Sequence, residues 1–191
     1  MGALDEGERV IAADAAAWRS WLSENHGTST GAWLVRPRPG NDDVHVGYEE
    51  AILQALCFGW IDGPVRSFDE RIGGLWFAPR RASSGWAATN KARIALLEAE
   101  GLLEAAGLRA IEVAKANGSW SVLDGPEAGI EPDDLTAALD ASPAARAGWD
   151  AFPASSRKMG LTQIAMAKRA ETRAGRIAKI VADAAEGRRP A

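Results

Sequence analysis

Residues 60–79 read WIDGPVRSFDERIGGLWFAP, and this stretch decides the fold class of the chain. The spacing of its apolar residues is shorter than that of a helix, with one run at Val65–Asp69 and another at Leu75–Ala78. Gly73-Gly74 precedes the second run, and a glycine pair between two such runs is typical of a hairpin turn. The stretch therefore predicts a β-hairpin whose turn is centred on these glycines.

Two neighbouring segments extend the predicted hairpin into a sheet. Gly31–Arg36 is short and partly aromatic, and the prolines that follow it indicate a strand that runs into a polar loop at 36–45. Trp60–Asp62 is a candidate for a further strand, with a tight turn at Asp62-Gly63-Pro64. The expected sheet is small and antiparallel, with three to four strands.

Apolar residues recur at helical spacing through most of the remaining chain. Ser142 followed by Pro143 is a typical helix start, and Gly118 is a typical residue just past a helix end. Residues 118–132 are rich in glycine and proline, which predicts a connecting loop. The predicted helices cover residues 13–24, 47–58, 90–100, 102–117, 133–140 and 144–151, and one broken or two consecutive helices cover 156–186.

These elements predict an α+β fold that is predominantly helical. A small antiparallel sheet of three to four strands packs with helices, and a helical C-terminal region follows. We expect an α+β core at residues 1–125 and a helical region at 126–191 that packs on the core as one unit. The chain has 191 residues, of which 47% are hydrophobic, and this suffices to bury a core.

Several classes of protein are excluded or disfavoured by composition. No apolar run approaches the roughly eighteen residues that a membrane span requires. The start, MGALDEGERVIAADAAAW, is acidic where a secretory signal is basic and then apolar, so the expected location is the cytoplasm. Cys57 is the single cysteine, and it makes neither an internal disulfide nor, with two scattered histidines, a zinc site. We expect an inert, buried thiol and no metal or cofactor.

The charge of the chain is unevenly distributed. Its net charge is −4, which argues against a nucleic-acid protein as a whole. Residues 155–191 nevertheless carry nine Lys or Arg against three Asp or Glu, a net charge of +6. This basic tail either contacts something anionic or docks on the acidic body of the chain.

Several motifs resemble those of one known family. They are ALCFGWIDG at 55–63, then Arg66, Asp69, FAPRR at 77–81, Ser84, Trp86 and Asn90, and finally AKRAETRAGRI at 167–177. In this order they resemble the YdeI/OmpD-associated (OmdA) family, whose members are also called bacteriocin-protection proteins. Weaker likeness begins near Trp18, so the resemblance spans nearly the whole chain.

The resemblance implies a role in stress resistance, in survival of antimicrobial peptides, and a partner in the cell envelope. It implies no reaction. The chain also departs from the pattern of the family, because Ala87 follows Trp86 where a serine is expected. Hydroxyl chemistry at that position is therefore not expected here.

Residues 56–90 combine three tryptophans with four arginines, and this mixture predicts a ligand-binding surface rather than a plain core. Rings beside guanidinium groups suit small anionic or aromatic ligands such as nucleotides. The basic stripe of the last helix is expected to complete the cleft. The predicted ligand-binding residues are Trp60, Asp62, Arg66, Arg80, Arg81, Ser84, Trp86, Asn90, Lys168, Arg173 and Arg176.

Each of these residues also has a structural interpretation. Asp62 serves either a turn or acid/base chemistry, and Asp69 is expected to pair with Arg66 or Arg71. Ser84 is interpreted either as the cap of a helix or as part of an anion site at a helix N-terminus. Arg80 and Arg81 are adjacent, so one of the two is expected to reach the pocket and the other to face away.

Three functions remain open from the sequence. The first is a binding protein without a cofactor that recognises a small anionic or aromatic ligand in stress or antimicrobial resistance. The second is an enzyme that acts on a phosphorylated or nucleotide-like molecule, with Asp62 as acid/base and no catalytic residue established. The third is a nucleic-acid or protein-interaction module that uses the basic C-terminal helices.

Overall fold

The computed structural model describes Leu4, residues 7–38 and residues 45–190. The chain divides into two compact units. The first comprises residues 1–84 and 91–117, and the second comprises residues 85–90 and 118–191. The expectation that the two parts of the chain pack as one unit stays a prediction.

The first unit contains the sheet. Its strands are β1 (Glu8–Val10), β2 (Ala32–Pro37), β3 (Trp60–Ser67) and β4 (Ile72–Pro79), in the spatial order β1-β2-β4-β3. The predicted α+β class with a small sheet is confirmed, although the sheet is mixed. β4 pairs antiparallel with both neighbours, whereas β1 pairs parallel with β2. β1 was not predicted, because three residues are too few to show a strand pattern.

The predicted position of the hairpin turn is wrong. Gly73 and Gly74 lie within β4, opposite Arg36 and Val35 of β2. The chain turns before them, where the Asp69 carboxylate accepts hydrogen bonds from the backbone N–H groups of Arg71 (2.7 Å) and Ile72 (2.9 Å). Aspartate stabilises turns in this way. Pairing of Asp69 with an arginine side chain is therefore not its main role.

Gly74 is small because aromatic rings pack on it. A Cβ atom there would lie 2.7 Å from Cζ of Phe68 and 3.0 Å from Cε3 of Trp33. The turn predicted at Asp62-Gly63-Pro64 is also absent, because these residues belong to the continuous strand β3. The register shifts between Asp62 and Val65, so the two residues between them form an irregularity of the strand.

Four helices accompany the sheet among the described residues: α1 (Ala15–Asn25), α2 (Tyr48–Cys57), α3 (Ala88–Ala99) and α4 (Ala105–Ala116). The Asp14 carboxylate caps α1 by accepting from the Ala17 N–H at 2.8 Å. The buried indole of Trp18 donates to the Ala51 carbonyl of α2 at 3.1 Å, and its ring lies 5.3 Å from that of Phe77 on β4. Helices α1 and α2 thus share one core with the sheet. Cys57 lies in this core, and burial raises the pKa of its thiol.

The described part of the second unit is helical. After α3 begins in it, the helices are α5 (Asp124–Ala128), α6 (Asp133–Asp140), α7 (Pro143–Asp150), α8 (Ala154–Ala165) and α9 (Ala170–Ala185). Ser142 and Pro143 start α7 as predicted, and the last predicted segment forms two helices. The predicted loop at 118–132 is wrong in part, because α5 lies within it. No helix of the described residues has the length and apolar character of a membrane span.

A single hydrophobic cluster forms the core of these helices. Its fully buried members include Leu135 and Leu139 of α6, Trp149 of α7 and Ile164 of α8. The Glu131 carboxylate accepts from the Trp149 indole N–H at 2.8 Å and from the Arg146 guanidinium at 2.8 and 2.9 Å. One carboxylate therefore satisfies the polar end of a core tryptophan and binds the arginine beside it.

Candidate functional site

A pocket of about 480 Å³ lies at one end of the sheet in the first unit. We call it the first-unit pocket. Arginines 36, 38 and 66 and His45 line it, together with apolar and small residues of β3 and β4. Volumes of about 300 to 1,000 Å³ are typical of small-molecule sites. The pocket is therefore large enough for a small ligand.

The strand register explains why the pocket forms there. Leu34 and Leu75 are paired across β2 and β4, and both are buried on one face of the sheet. Two residues further along the strands, the same face carries Arg36 opposite Gly73. Gly73 has no side chain to fill the space, and a Cβ atom there would lie 2.7 Å from the Arg66 carbonyl oxygen. The apolar cover of the sheet thus ends in a hollow beside an arginine.

Arg36 is the most informative residue of this pocket. Its Nε atom is buried and has no hydrogen-bond partner among the residues that the structure describes. The guanidinium carbon lies 5.6 Å from the ring centroid of Tyr48, within the range of a cation–π contact. Buried N–H donors are normally satisfied, so this one needs an acceptor. Because the atom has almost no accessible surface, an acceptor in the hollow reaches it only after the side chain shifts.

The other two arginines of the pocket are held by the backbone. Arg38 donates through Nη1 to the Asp69 carbonyl at 2.9 Å, and Arg66 donates through Nη1 to the Leu4 carbonyl at 3.4 Å. Both contacts involve neutral acceptors. They fix the position of the two guanidinium groups on the pocket wall.

A carboxylate lies next to this basic group. The Tyr48 hydroxyl donates to Oδ2 of Asp62 at 3.4 Å, which is long for such a bond. Burial and the negative charge of Asp62 raise the pKa of Tyr48, so its hydroxyl stays a donor. Burial lowers the pKa of Arg80 to about 10, and the charge of Asp62 acts in the opposite direction. Asp62 is therefore within electrostatic reach of both side chains.

Arg80 and Arg81, which were predicted to face opposite ways, differ in their exposure. Arg80 is partly buried near Asp62, whereas Arg81 is exposed. Trp60 of the first unit is only 1% exposed, and its indole donates to the His26 carbonyl at 3.3 Å. Its ring is thus a core ring that offers almost no surface to a ligand. The ligand-binding roles of these residues stay predictions.

The predicted helix start near Ser84 is wrong. The helix α3 begins at Ala88, and the N–H of Ala88 donates to the Glu127 carboxylate at 2.7 Å. A carboxylate of the chain thus occupies the position that an anion was expected to take. Trp86 is 1% exposed and packs 5.0 Å from the Trp120 ring, while Asn90 is buried at 9% exposure. Ser84 itself is partly buried, before the helix.

The basic residues of the last helix are engaged within the second unit. Arg173 binds the Asp134 carboxylate through Nε (2.7 Å) and Nη2 (2.8 Å), and this pairing raises the pKa of Arg173. Arg176 donates to the Gln163 carbonyl. Lys168 is exposed and precedes α9. The expected cleft that joins these residues to Trp60 and Trp86 stays a prediction.

Sequence reasoning did not select Arg36, Arg38, His45 and Tyr48 as site residues. Arg36 and Arg38 were visible as basic residues among prolines, but nothing local assigns them to a pocket. The signal is the position of Arg36 directly after the buried residues of β2, on the same face as Ala32 and Leu34. No cluster of three or more potential metal-ligating side chains occurs in the described part of the chain.

Comparison with protein families assigns both parts of the chain. A family model described as a domain of unknown function (DUF8412) matches residues 10–110, more than half of the chain. The chain belongs to this family. The DUF8412 region contains every residue of the first-unit pocket. No curated protein and no solved structure matches the chain.

A second family model matches residues 129–187 and is described as "Bacteriocin-protection, YdeI or OmpD-Associated" (OmdA). The suspected resemblance is thereby confirmed for this part of the chain, including the AKRAETRAGRI motif. The motifs between Trp18 and Asn90 lie within the DUF8412 match instead.

Proposed function

We propose that this chain binds a small anionic ligand in the first-unit pocket and acts in stress or antimicrobial resistance. The observation that carries the binding proposal is the lining of a hollow of about 480 Å³ by three arginines and a histidine. Guanidinium groups bind carboxylates and phosphates through paired N–H donors. The buried Nε of Arg36 supports the same conclusion, since an anion would satisfy it.

The ligand is proposed to carry a phosphate or carboxylate group and a flat or apolar portion. Tyr48 is 45% exposed and Val65 is 76% exposed, and both border the arginines of the pocket. An exposed ring offers a stacking surface that the buried tryptophans lack. Nucleotides therefore remain within the proposed ligand class.

The resistance role is supported by the match of residues 129–187 to the OmdA model, whose description names bacteriocin protection. We propose that the chain acts in the cytoplasm and that an envelope-associated partner exists, as the OmpD association in the same description suggests. These elements rest on the family description and are independent of the pocket.

A second candidate function is catalysis on the bound ligand. The specific observation is the contact of Tyr48 with Asp62, because Tyr48 also lies beside Arg36 of the pocket. A carboxylate near a bound phosphorylated molecule can act as a general base. Under this proposal Asp62 is the acid/base group, and Arg36 holds the anionic part of the ligand.

Calorimetric titration with inorganic phosphate, AMP and ADP tests the binding proposal. We expect Arg36→Gln and Arg66→Gln to weaken binding by about tenfold each, because each removes a charge-assisted hydrogen bond. Arg109→Gln is the matched control, since Arg109 is an exposed arginine of α4 outside the pocket. Equal binding by all three variants would exclude the pocket.

Asp62→Asn separates the two candidate functions. A binding protein keeps its affinity in this variant. An enzyme keeps its affinity but loses turnover of the bound nucleotide, which product analysis by chromatography measures. If wild-type protein releases no product from AMP or ADP, the catalytic alternative fails for these substrates while the binding proposal stands.

A further inference from the structure

A second pocket, of about 420 Å³, lies within the second unit. We call it the second-unit pocket. It is bounded by α5, the segment up to Glu131, the end of α7 and the first two turns of α8. Most of its lining belongs to the region that matches the OmdA model. It shares no lining residue with the first-unit pocket, so its ligand is argued from its own lining residues.

Its basic wall comes from one helix. Ser155, Arg157 and Lys158 of α8 line the pocket. Lys158 donates to Oε1 of Glu127 at 3.1 Å. The backbone N–H of Arg157 donates to the Pro153 carbonyl, whereas its guanidinium makes no hydrogen bond with the described residues. Its charge reaches Glu131, where it helps Arg146 and Trp149 to keep the pKa of that carboxyl low. The guanidinium of Arg157 therefore has donors available to a ligand.

Its acidic wall comes from the segment that contains α5 and the residues after it. Glu131 accepts from Arg146, Trp149 and, at 3.5 Å, from the Thr136 hydroxyl, so its four acceptor positions are taken. Glu127 accepts one hydrogen bond on each oxygen, from the Ala88 N–H at 2.7 Å and from Lys158. A carboxylate has about four acceptor positions, so Glu127 retains capacity for a cationic group. Burial opposes its ionisation, but these two donors outweigh burial and lower its pKa.

The two walls carry opposite charges and nearly balance. A simple anion would be attracted by Arg157 but repelled by Glu127 and Glu131. A simple cation would be attracted by the two carboxylates but repelled by Arg157. A molecule with both charges matches both walls, because its carboxylate reaches Arg157 and Ser155 while its ammonium reaches Glu127. We propose that the second-unit pocket binds a small zwitterion of the free amino acid or short peptide class.

The test uses one dipeptide and two blocked forms of it. Alanyl-leucine carries both charges, N-acetyl-alanyl-leucine lacks the ammonium, and alanyl-leucine amide lacks the carboxylate. Titration of the full-length chain is followed by NMR, with the backbone amides of residues 127–131 and 154–161 as reporters. We expect the free dipeptide to shift these amides, and each blocked form to bind about tenfold more weakly, because each loses one charged hydrogen bond.

Variants assign the two ends of the ligand. Arg157→Gln is expected to abolish the preference for the free carboxylate, and Glu127→Gln the preference for the free ammonium. Arg169→Gln is the control, since Arg169 is exposed in the same unit and does not line the pocket. Arg36→Gln leaves this binding unchanged, which keeps the result separate from the first-unit pocket. Absence of binding by the free dipeptide, or equal binding of all three forms, would overturn the proposal.

Discussion

The arginines of the first-unit pocket are held differently from two arginines of the second unit. In the second unit, Arg146 and Arg173 each bind carboxylates through two or more nitrogen atoms. In the first-unit pocket, Arg38 and Arg66 donate to backbone carbonyls, and Arg36 has a buried Nε without an acceptor in the described residues. Elsewhere in the first unit, Arg93 binds the Glu49 carboxylate through Nε and Nη2. The density of arginine along the sequence does not reveal this difference. It depends on which groups the fold brings within reach of each guanidinium.

Tryptophans are buried in the same way in both units. Trp18 and Trp60 in the first unit and Trp86 and Trp149 in the second are each at most 1% exposed. The indole N–H of Trp18, Trp60 and Trp149 donates to a carbonyl or carboxylate of the same unit. Buried tryptophans commonly satisfy their N–H in this way. A motif rich in tryptophan and arginine thus contains core residues and pocket residues together.

The largest expected effect comes from helix packing in the second unit. A Cβ atom at Gly148 of α7 would lie 2.0 Å from the Ala184 carbonyl oxygen of α9, so Gly148→Ala forces the two helices apart. We expect the free energy of unfolding to fall by about 3 kcal/mol. Urea denaturation measures the loss, and amide hydrogen exchange localises it to the second unit.

Gly175→Ala is the matched control. Gly175 lies within α9, and no atom lies within 4 Å of the position its Cβ would take. Alanine is the better helix former, so this variant is expected to gain up to about 1 kcal/mol. If both variants lose stability equally, the close contact of α7 with α9 is not what limits position 148.

The next largest effect concerns Arg146, whose guanidinium binds the carboxylates of Glu131 and Asp150. Arg146→Leu leaves Glu131 with the Trp149 N–H but without its guanidinium partner. We expect a loss of about 2 kcal/mol, because a partly buried carboxylate loses two charge-assisted hydrogen bonds. Urea denaturation measures this. A loss below that of an ordinary surface substitution would show that the arginine network contributes little.

The same network predicts a dependence of stability on pH. Hydrogen bonds from Arg146 lower the pKa of Glu131, and Arg173 lowers that of Asp134. A carboxyl whose pKa is lower in the folded state stabilises the fold above its unfolded pKa, and this contribution is lost as the pH falls through the folded pKa. We therefore expect the second unit to lose stability below about pH 4.5, the ordinary range of these carboxyls. Glu131→Gln should flatten the acidic part of the profile, and an unchanged profile would contradict the assignment.

The parts of the fold that the sequence predicted are those with local signals. Ser142 caps its helix as expected, and the helix at 133–140 was predicted to the residue. The turn at Gly73-Gly74 was wrong because the reason for glycine there is not local. Rings from Phe68 and Trp33 pack on Gly74, and Trp33 lies 41 residues earlier in the chain.

The candidate pocket could be predicted only in part for the same reason. Arg66 was selected because it lies in residues 56–90, which combine three tryptophans with four arginines. Arg36 and His45 also line the pocket but were not selected. Their meeting depends on the pairing of β2 with β4 and on the position of the residues before α2. Pairing register between strands distant in sequence is not encoded by composition or spacing.

The smallest expected effects on stability compare an arginine of the first-unit pocket with a paired arginine of the second unit. Arg173→Gln removes a paired arginine of the second unit whose side chain is 31% exposed, and we expect it to cost about 0.5 to 1 kcal/mol. Arg36→Gln removes an arginine of the first-unit pocket, and we expect a change within about 0.5 kcal/mol, because its buried Nε makes no hydrogen bond in the described structure. Paired urea titrations of the two variants measure the difference. A larger loss for Arg36→Gln would mean that Arg36 stabilises the fold and is not kept for ligand binding. The binding proposal for the first-unit pocket would then lose the contribution of Arg36.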